Sequence, residues 1–244
     1  HIMLYIGIDL GTSAVKLLLM DQEGTVQNVV SKEYPLEFPH PGWSQQNPED
    51  WRRAVLEGVP ELLKGVDAGQ VAGIGAGGQM HGLVVLDEHD QVIRPAILWN
   101  DGRTAREVDY LNQTVGKDKL SAWTANIAFA GFTAPKVLWM REHEPENFAR
   151  TKVILNPKDY VRYKLTGVVA TEVSDASGTG LFDVKNRCFS DALIAKLGLA
   201  RSLFPKCYES YEIVGQVTSE AAKLTGLPAG LPVTAGGGDA VIQT

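Results

Sequence analysis

Two short apolar runs separated by a polar turn constrain the fold of this chain more than any other feature. In "YIGIDLGTSAVKLLLMDQEG", residues 5–24, Asp9 lies near the end of the first run and Gly11-Thr12-Ser13 follow it. A glycine turn between apolar runs predicts two paired strands, and the alternating "GTVQNVVSKEYP" after the next turn predicts a third. The chain is therefore predicted to begin with an antiparallel meander.

The same turn predicts a phosphate site. The backbone amides of Gly11, Thr12 and Ser13 can converge on one phosphate group, with hydroxyl groups beside them. Asp9 can hold a magnesium ion through water, since Mg2+ prefers carboxylate and water ligands. A plain hairpin, in which Asp9 only caps its own turn, explains the spacing equally well. The pattern G-x-x-x-x-G-K-[ST] does not occur in the sequence, which excludes a P-loop.

Strand and helix patterns alternate along the rest of the chain. Asn47 followed by Pro48 predicts the start of a helix, since these residues suit the N-cap and the first helical position. Residues 71–101 are predicted to form a strand, a glycine loop, a strand, a turn and a strand. Residues 102–164 carry mostly helical patterns, and Gly167 predicts the end of a helix. This order predicts a mixed α/β domain.

Composition excludes several classes of function. The 244 residues carry a net charge of −6, which argues against nonspecific binding to nucleic acid, because little would neutralise its phosphates. No apolar run reaches the roughly 18 residues that a membrane helix needs. Cys188 and Cys207 form neither a metal-binding spacing nor a disulfide framework, which predicts a cytoplasmic location. The composition leaves a homodimer open.

The second candidate site is "GAGGQMHG", residues 75–82. Glycines let the backbone approach a small ligand, and Gln79 and His81 carry hydrogen-bonding groups. A structural histidine in a loop is the alternative interpretation. A dinucleotide-binding loop is disfavoured, because "LVVLD" follows as a predicted strand, whereas the Rossmann motif opens a helix.

The third candidate is "ILWNDGR", residues 97–103. Asn100, Asp101 and Arg103 would place an amide, a carboxylate and a guanidinium on one rim, which suits a polyhydroxylated ligand. Alternatively, Asn100 and Asp101 cap the next helix through their side chains. Further along, residues 167–188 look extended, and Asp175 within them is predicted to be a turn residue.

The fourth candidate is "GGGDA", residues 236–240, in which three glycines precede Asp239. Glycines at this position let the backbone pack closely and leave the carboxylate accessible. Phosphoryl transfer to an alcohol uses such a carboxylate to orient and deprotonate the attacking hydroxyl. An ordinary glycine loop is the alternative.

Two stretches resemble known families. "GIDLGTSAVKLLLMD" is similar to the first phosphate motif of the sugar-kinase, heat-shock-chaperone and actin superfamily, which joins the first two strands of a ribonuclease-H-like fold. "GFTAPKVLWMREH", residues 131–143, matches the signature of the FGGY carbohydrate kinases, with Lys136 and Trp139 in their expected places. The pattern of this segment also predicts an amphipathic helix, so the signature is taken to mark an element of the fold. The resemblance implies a mixed β-sheet flanked by helices over residues 3–244.

The resemblance implies an ATP-dependent and Mg2+-dependent kinase acting on a small sugar. "GQMHG" is similar to the sugar-contacting loop of the xylulose kinases in this family. The implied roles are as follows: Asp239 as catalytic base; Asp9 as catalytic residue and magnesium ligand; Gly11, Thr12 and Ser13 as the phosphate cradle; and Gln79, Met80, His81, Asp101 and Arg103 as sugar contacts. Ala240 stands where many xylulose kinases have Asn, so L-ribulose, gluconate and glycerol kinases remain alternatives.

The sequence stops shortly after Asp239, inside an apolar segment. This predicts a further, C-terminal nucleotide-binding domain outside these residues, and the family places its adenine pocket there. We therefore expect this chain alone to lack kinase activity. A chaperone or filament ATPase would share the opening motif but not the signature, and a non-catalytic sugar sensor would not need both Asp9 and Asp239.

Overall fold

The computed structural model describes residues 2–238, so Asp239 and Ala240 lie outside the described residues. The strands are β1 (Leu4–Leu10), β2 (Ala14–Asp21), β3 (Val26–Glu33), β4 (Gln45–Gln46), β5 (Val71–Gly78), β6 (Val84–Leu86), β7 (Ala96–Ile97), β8 (Val153–Leu155), β9 (Ala170–Glu172), β10 (Phe182–Asp183), β11 (Cys188–Phe189), β12 (Lys206–Tyr208), β13 (Ile213–Gln216), β14 (Pro232–Thr234) and β15 (Gly237–Gly238). The helices are α1 (Pro48–Leu62), α2 (Ala105–Asp109), α3 (Lys117–Thr124), α4 (Thr133–His143), α5 (Pro145–Arg150), α6 (Pro157–Thr166), α7 (Val173–Ala176), α8 (Asp191–Lys196) and α9 (Ser219–Thr225). Short 3-10 turns at Ala68–Gln70 and Arg201–Leu203 and a π-helical turn at Tyr110–Gly116 complete the described elements.

A mixed sheet forms the centre of the molecule. Its strands lie in the order β13-β14-β5-β1-β2-β3, and β15 also pairs with β5. Strands β1, β2 and β3 are antiparallel, which confirms the predicted meander, whereas β5 runs parallel to β1. The fold class is therefore the mixed α/β domain that the sequence predicts.

The two faces of β1 differ in burial. Leu4, Ile6, Ile8 and Leu10 are buried in one apolar core, whereas Asp9 and the other alternate residues are partly exposed. Side chains alternate between the faces of a strand, so this pattern points every second residue at the core. Asp9 therefore lies on the face of the sheet opposite that core.

Helix α1 covers the core face of the sheet. The side chain of Asn47 accepts a hydrogen bond from the Glu49 amide at 3.0 Å, and Pro48 occupies the first helical position, as predicted. Trp51, a fully buried residue, packs into the core from this helix. Gly167 ends α6 with φ of 70°, which confirms the predicted helix end.

The predicted glycine loop at residues 75–78 is instead part of a strand. β5 continues through Gly78, and Leu10 is the register partner of Gly78 on β1. A Cβ atom on Gly78 would lie 2.7 Å from the Cβ of Leu10, so the close approach of the two strands requires glycine. The glycines let strands pack tightly rather than forming a loop.

The expectation of extended structure over residues 167–188 is wrong in one part, because Val173–Ala176 form the short helix α7. The Glu172 carboxylate accepts hydrogen bonds from the amides of Ser174 at 2.7 Å and Asp175 at 2.8 Å, which stabilises the helix start. Asp175, predicted to be a turn residue, instead lies in this helix and is fully buried.

The signature segment lies in a second apolar core. Val137, Leu138, Trp139 and Met140 of α4 are buried there, as the helical pattern predicts. Within residues 2–238, no helix combines the length and the apolar character needed to span a membrane.

Candidate active site

The ends of three parallel strands meet at one edge of the sheet. Asp9 on β1 is the register partner of Gly77 on β5, and Gly77 is in turn the partner of Gly237 on β15. Asp9, Gly77 and Gly237 line a cavity of about 570 Å³. Gly238, the last described residue, immediately precedes Asp239 in the sequence. Gly237, two residues before Asp239 in the sequence, is therefore level with Asp9 and two strands away from it.

Side chains behind the Gly11-Thr12-Ser13 turn hold its carbonyl oxygens. The Gln46 Nε2 atom donates to the Thr12 carbonyl at 2.7 Å, and the Tyr34 hydroxyl donates to the Gly11 carbonyl. In a trans peptide the N–H and C=O groups point in opposite directions, and no cis peptide occurs in the described chain. The amides of Thr12 and Ser13 therefore point away from these side chains, as the predicted phosphate cradle requires. The Gly11 amide, predicted to join them, instead donates to the Ala14 carbonyl at 2.9 Å.

Gln79, predicted to contact substrate, lies beneath this turn. Its side chain is buried, and its Nε2 atom donates to the Gly11 carbonyl and to the Gln46 Oε1 atom, each at 3.3 Å. Its backbone amide bonds to the Leu10 carbonyl at 2.8 Å, because β5 stays paired with β1 up to this point. The structure thus gives Gln79 contacts that support the turn.

Lys16 is a candidate that sequence reasoning missed. It is the antiparallel partner of Asp9 on β2, and it is exposed. Directly opposed residues of an antiparallel pair share a face and have Cβ atoms about 5 Å apart. A cation therefore accompanies Asp9 on the cavity side of the sheet. Its signal in the sequence is its place three residues after Ser13, within the predicted second strand.

Met80 and His81 form a constrained loop directly after β5. His81 has φ of 70°, and its Nδ1 atom donates to the Gly178 carbonyl at 2.6 Å, since a carbonyl can only accept. Its ring stacks on Phe132 with the centroids 5.0 Å apart. A Cβ atom on Gly178 would lie 2.5 Å from His81 Cε1 and 3.0 Å from Met80 Cε. Gly178 therefore leaves just enough space for this pair.

The signature lysine supports the same loop. Lys136 Nζ donates to the His81 carbonyl at 3.1 Å, and the Thr133 hydroxyl donates to the same oxygen at 3.0 Å. Burial lowers the pKa of Lys136 to about 7, with Asp101 opposing this shift and Arg103 adding to it. The helix carrying the signature thus fixes the backbone of His81, and Lys136 has no exposed surface of its own.

The predicted rim position of Asp101 and Arg103 is wrong. Both side chains are fully buried, and they pair through Arg103 Nη2 and Asp101 Oδ2 at 2.8 Å. The Arg103 guanidinium lies 4.0 Å from the ring centroid of Trp43 and 5.0 Å from that of Trp139, in cation–π geometry. The two rings are nearly perpendicular, with centroids 5.5 Å apart, and the guanidinium contacts both, so the buried ion pair ties α4 to the segment around Trp43.

Trp99 is a second candidate that sequence reasoning passed over. It is 47% exposed, and its Nε1 atom donates to Thr12 Oγ1 at 3.0 Å. A Cβ atom on Gly131, the first residue of the signature, would lie 2.9 Å from the Trp99 carbonyl oxygen. An exposed aromatic ring is thus anchored beside the Gly11-Thr12-Ser13 turn. Its position at the end of a predicted strand, before Asn100, was the available signal.

Comparisons with known proteins found a matching family model and similar proteins. The model of the N-terminal domain of the FGGY family of carbohydrate kinases matches residues 4–244. Xylulose kinase of Bacillus subtilis (strain 168) is 46% identical over 236 residues, covering 96% of this chain and 47% of that protein. A crystal structure described as a xyloylose kinase from Brucella ovis aligns with a TM-score of 0.91 and 40% identity, covering 97% of this chain and 49% of that one.

A gluconate kinase from Lactobacillus acidophilus aligns with a TM-score of 0.94 and 26% identity, covering 100% of this chain and 49% of that one. The chain spans about half the length of the curated relatives it matches. The family model, however, covers almost every residue from the first strand onward. The chain therefore belongs to the FGGY family of carbohydrate kinases.

Proposed function

We propose that this chain is the sugar-binding half of an ATP-dependent kinase that converts D-xylulose to D-xylulose 5-phosphate. The observation that carries the proposal is the common register of Asp9, Gly77 and Gly237. It brings the phosphate turn and the strand preceding Asp239 to one sheet edge. Relatives named xylulose kinases at 40–46% identity support D-xylulose as the substrate.

The phosphate end of the site fits a magnesium-bound triphosphate. Asp9 offers a carboxylate at a strand end, beside the two outward-pointing amides of the turn, and this donor set suits a hard cation and phosphate oxygens. When bound, Mg2+ supplies positive charge that neutralises the phosphates. In the proposal the amides of Thr12 and Ser13 bind the transferred phosphoryl group, and Lys16 adds positive charge on the same face.

The sugar end consists of Met80, His81 and Trp99. The first two are partly exposed on the loop that Lys136 and Gly178 hold, and the Trp99 ring offers an apolar face to the C–H groups of a sugar. The side chains of Asp101, Arg103 and Gln79 are buried, so they contribute indirectly. Asp101 and Arg103 hold α4, and Gln79 holds the turn.

Asp239 is the proposed base. It accepts the proton of the terminal sugar hydroxyl while that oxygen forms a bond to the terminal phosphorus of ATP, and the bond from that phosphorus to the bridging oxygen of ADP breaks. Closing a second domain over the cavity would exclude water. We propose that this domain, with the adenine pocket, lies in a part of the protein beyond residue 244.

The test is a substrate panel on the full-length protein with ATP and Mg2+, comparing D-xylulose with D-ribulose, L-ribulose, gluconate and glycerol. We expect the highest kcat/KM with D-xylulose. Because a general base contributes about 10²–10⁴-fold, Asp239→Asn should lower kcat by about that factor. Asp191→Asn, which changes an exposed carboxylate, is the matched control. Near-normal turnover by Asp239→Asn would refute the assignment of Asp239 as the base. A higher kcat/KM with gluconate than with D-xylulose would instead indicate a gluconate kinase.

Two further parts of the proposal concern the protein's surroundings. Both cysteines are free thiols, which is consistent with a cytoplasmic location. We expect sugar and ATP as partners, and neither nucleic acid nor membrane. A homodimer stays a prediction.

A further inference from the structure

Five ionisable side chains form a buried cluster that the proposed mechanism does not use. They come from α6, β9 and α7, and none has exposed surface: Lys158, Asp159, Arg162, Glu172 and Asp175. Lys158 Nζ lies 2.9 Å from an oxygen of Asp175, 3.0 Å from one of Glu172 and 3.4 Å from one of Asp159. Buried ion pairs add little net stability compared with apolar side chains of similar volume, so a positional role has to be considered.

One member of this charge cluster, Arg162, bonds to the backbone just before β15. The Arg162 guanidinium donates through Nη1 to the Ala235 carbonyl, and through Nη2 to Asp159 Oδ1 at 2.9 Å and to the Ala170 carbonyl at 2.5 Å. Ala235 lies between β14 and β15, four residues before Asp239 in the sequence. A planar guanidinium with several fixed donors can hold these groups together in one geometry.

A second arm of the charge cluster ends beside the same strand. Glu172 Oε2 accepts a hydrogen bond from the Ser210 hydroxyl at 2.9 Å, and the Ser210 carbonyl accepts one from the Gly236 amide at 3.1 Å. Ser210 and Gly236 both line the cavity that contains Asp9. The cluster therefore holds the chain around residues 235–236 from two directions.

The backbone there has little freedom to adjust without these contacts. Gly236 has φ of 87°, and a Cβ atom on it would lie 1.8 Å from the Ala76 carbonyl oxygen. The chain thus packs against β5 at close contact. Its register with β5 determines which residues lie at the end of the sheet. A shift of about 1 Å in a reacting group can cost about 10²-fold in rate.

We propose that Arg162 is a positioning residue, which clamps the Ala235 carbonyl and so keeps β15 in the register that places Gly237 level with Asp9, two residues before Asp239 in the sequence. This inference rests on the proposed function, in which Asp239 is the base. Arg162 touches neither sugar nor phosphate in this arrangement. Its loss should therefore lower kcat while leaving the KM for sugar nearly unchanged, since Met80 and His81 are held by Lys136 and Gly178 instead.

The test uses Arg162→Lys in the full-length protein, which keeps the charge but not the fork of donors. Arg141→Lys is the matched control, because Arg141 Nη1 also donates to a backbone carbonyl, that of Leu197, at 2.5 Å, away from the cavity. Per folded molecule, kcat of Arg162→Lys should fall about tenfold or more, with the KM for D-xylulose within about twofold of the wild type. Hydrogen–deuterium exchange in a peptide covering residues 232–238 should accelerate in Arg162→Lys and not in Arg141→Lys.

Ser210→Ala tests the second arm more mildly, should Arg162→Lys fail to fold, because Glu172 Oε2 keeps its hydrogen bond from the Ser174 amide at 2.7 Å. It should accelerate exchange in the same peptide and lower kcat in the same direction by a smaller factor. Unchanged exchange and unchanged kcat in the folded variants would overturn the positioning role. If exchange accelerates but the wild-type protein phosphorylates none of the sugars in the panel, the clamp stands and the proposed function fails.

Discussion

Lys136 Nζ and the His81 carbonyl oxygen are joined by a hydrogen bond of 3.1 Å across 55 residues of sequence. The lysine lies in the family signature and the histidine in the proposed sugar loop. The bond explains how a mostly apolar helix contributes to a polar site. The buried Lys136 side chain on this helix fixes the backbone that presents His81.

The buried Lys136 should make stability depend on pH. Burial lowers its pKa from 10.5 to about 7, so the unfolded chain binds more protons between these values and stability rises with pH across that window. The free energy of unfolding should rise by about 2 kcal/mol more between pH 7 and pH 9 in the wild type than in Lys136→Met. Urea unfolding at each pH measures this difference. Parallel pH profiles for the two proteins would contradict it.

Gly178→Ala should disturb sugar binding. The new methyl group would meet His81 Cε1 at 2.5 Å and Met80 Cε at 3.0 Å, so both side chains must move. We expect the KM for sugar in the full-length enzyme to rise about tenfold, equivalent to about 1.4 kcal/mol of lost binding. Gly73→Ala is the control, because its Cβ would meet no atom closer than 3.6 Å. Equal effects of the two substitutions would argue against a sugar role for this loop.

Lys16→Met should slow phosphoryl transfer. Lys16 faces the same side of the sheet as Asp9, its strand partner, where its charge can stabilise the transferred group. We expect kcat of the full-length kinase to fall about 10²-fold with stability nearly unchanged, since the side chain is exposed. Lys32→Met, on the neighbouring strand and paired with Glu61, should leave kcat unaltered. A normal kcat for Lys16→Met would remove this residue from the site.

Asp175 should give the opposite pH dependence. Burial raises its pKa from 3.8 to about 6, against the opposing effect of Lys158 and in the same direction as Asp159 and Glu172. Asn156 is the other group facing it, through a hydrogen bond of 2.7 Å. The folded state therefore binds the extra proton between these pKa values, so this contribution to stability is present below pH 3.8 and is lost as pH rises through 6.

Asp175→Asn removes this titration. From pH 4 to pH 7, the free energy of unfolding of the wild type should fall by about 2 kcal/mol relative to the variant. Chemical denaturation across this range is the measurement, with Asp191→Asn as the exposed control. A constant difference between wild type and Asp175→Asn would show that Asp175 does not titrate in this window.

The elements that local sequence predicts well are those stabilised by local contacts. The alternation of β1 and the capping of α1 by Asn47 depend on residues within a few positions of one another. The short helix α7 was missed, because it starts on the side chain of Glu172, a residue not usual at that position. The glycine run of β5 was mistaken for a loop, because glycine suits both a turn and a tight strand contact.

Residue types and their order along the chain already indicated the fold class and the family, whereas the phosphate role of the Gly11-Thr12-Ser13 turn stays a prediction. Tertiary packing alone decided which polar groups face the cavity. Asp101 and Arg103 are buried as a pair, and Trp43 and Trp139, distant in sequence, both contact the guanidinium. Arg162 reached the Ala235 carbonyl across 73 residues. Such contacts form only when segments that are distant in sequence pack together, and no local sequence pattern specifies which segments will meet.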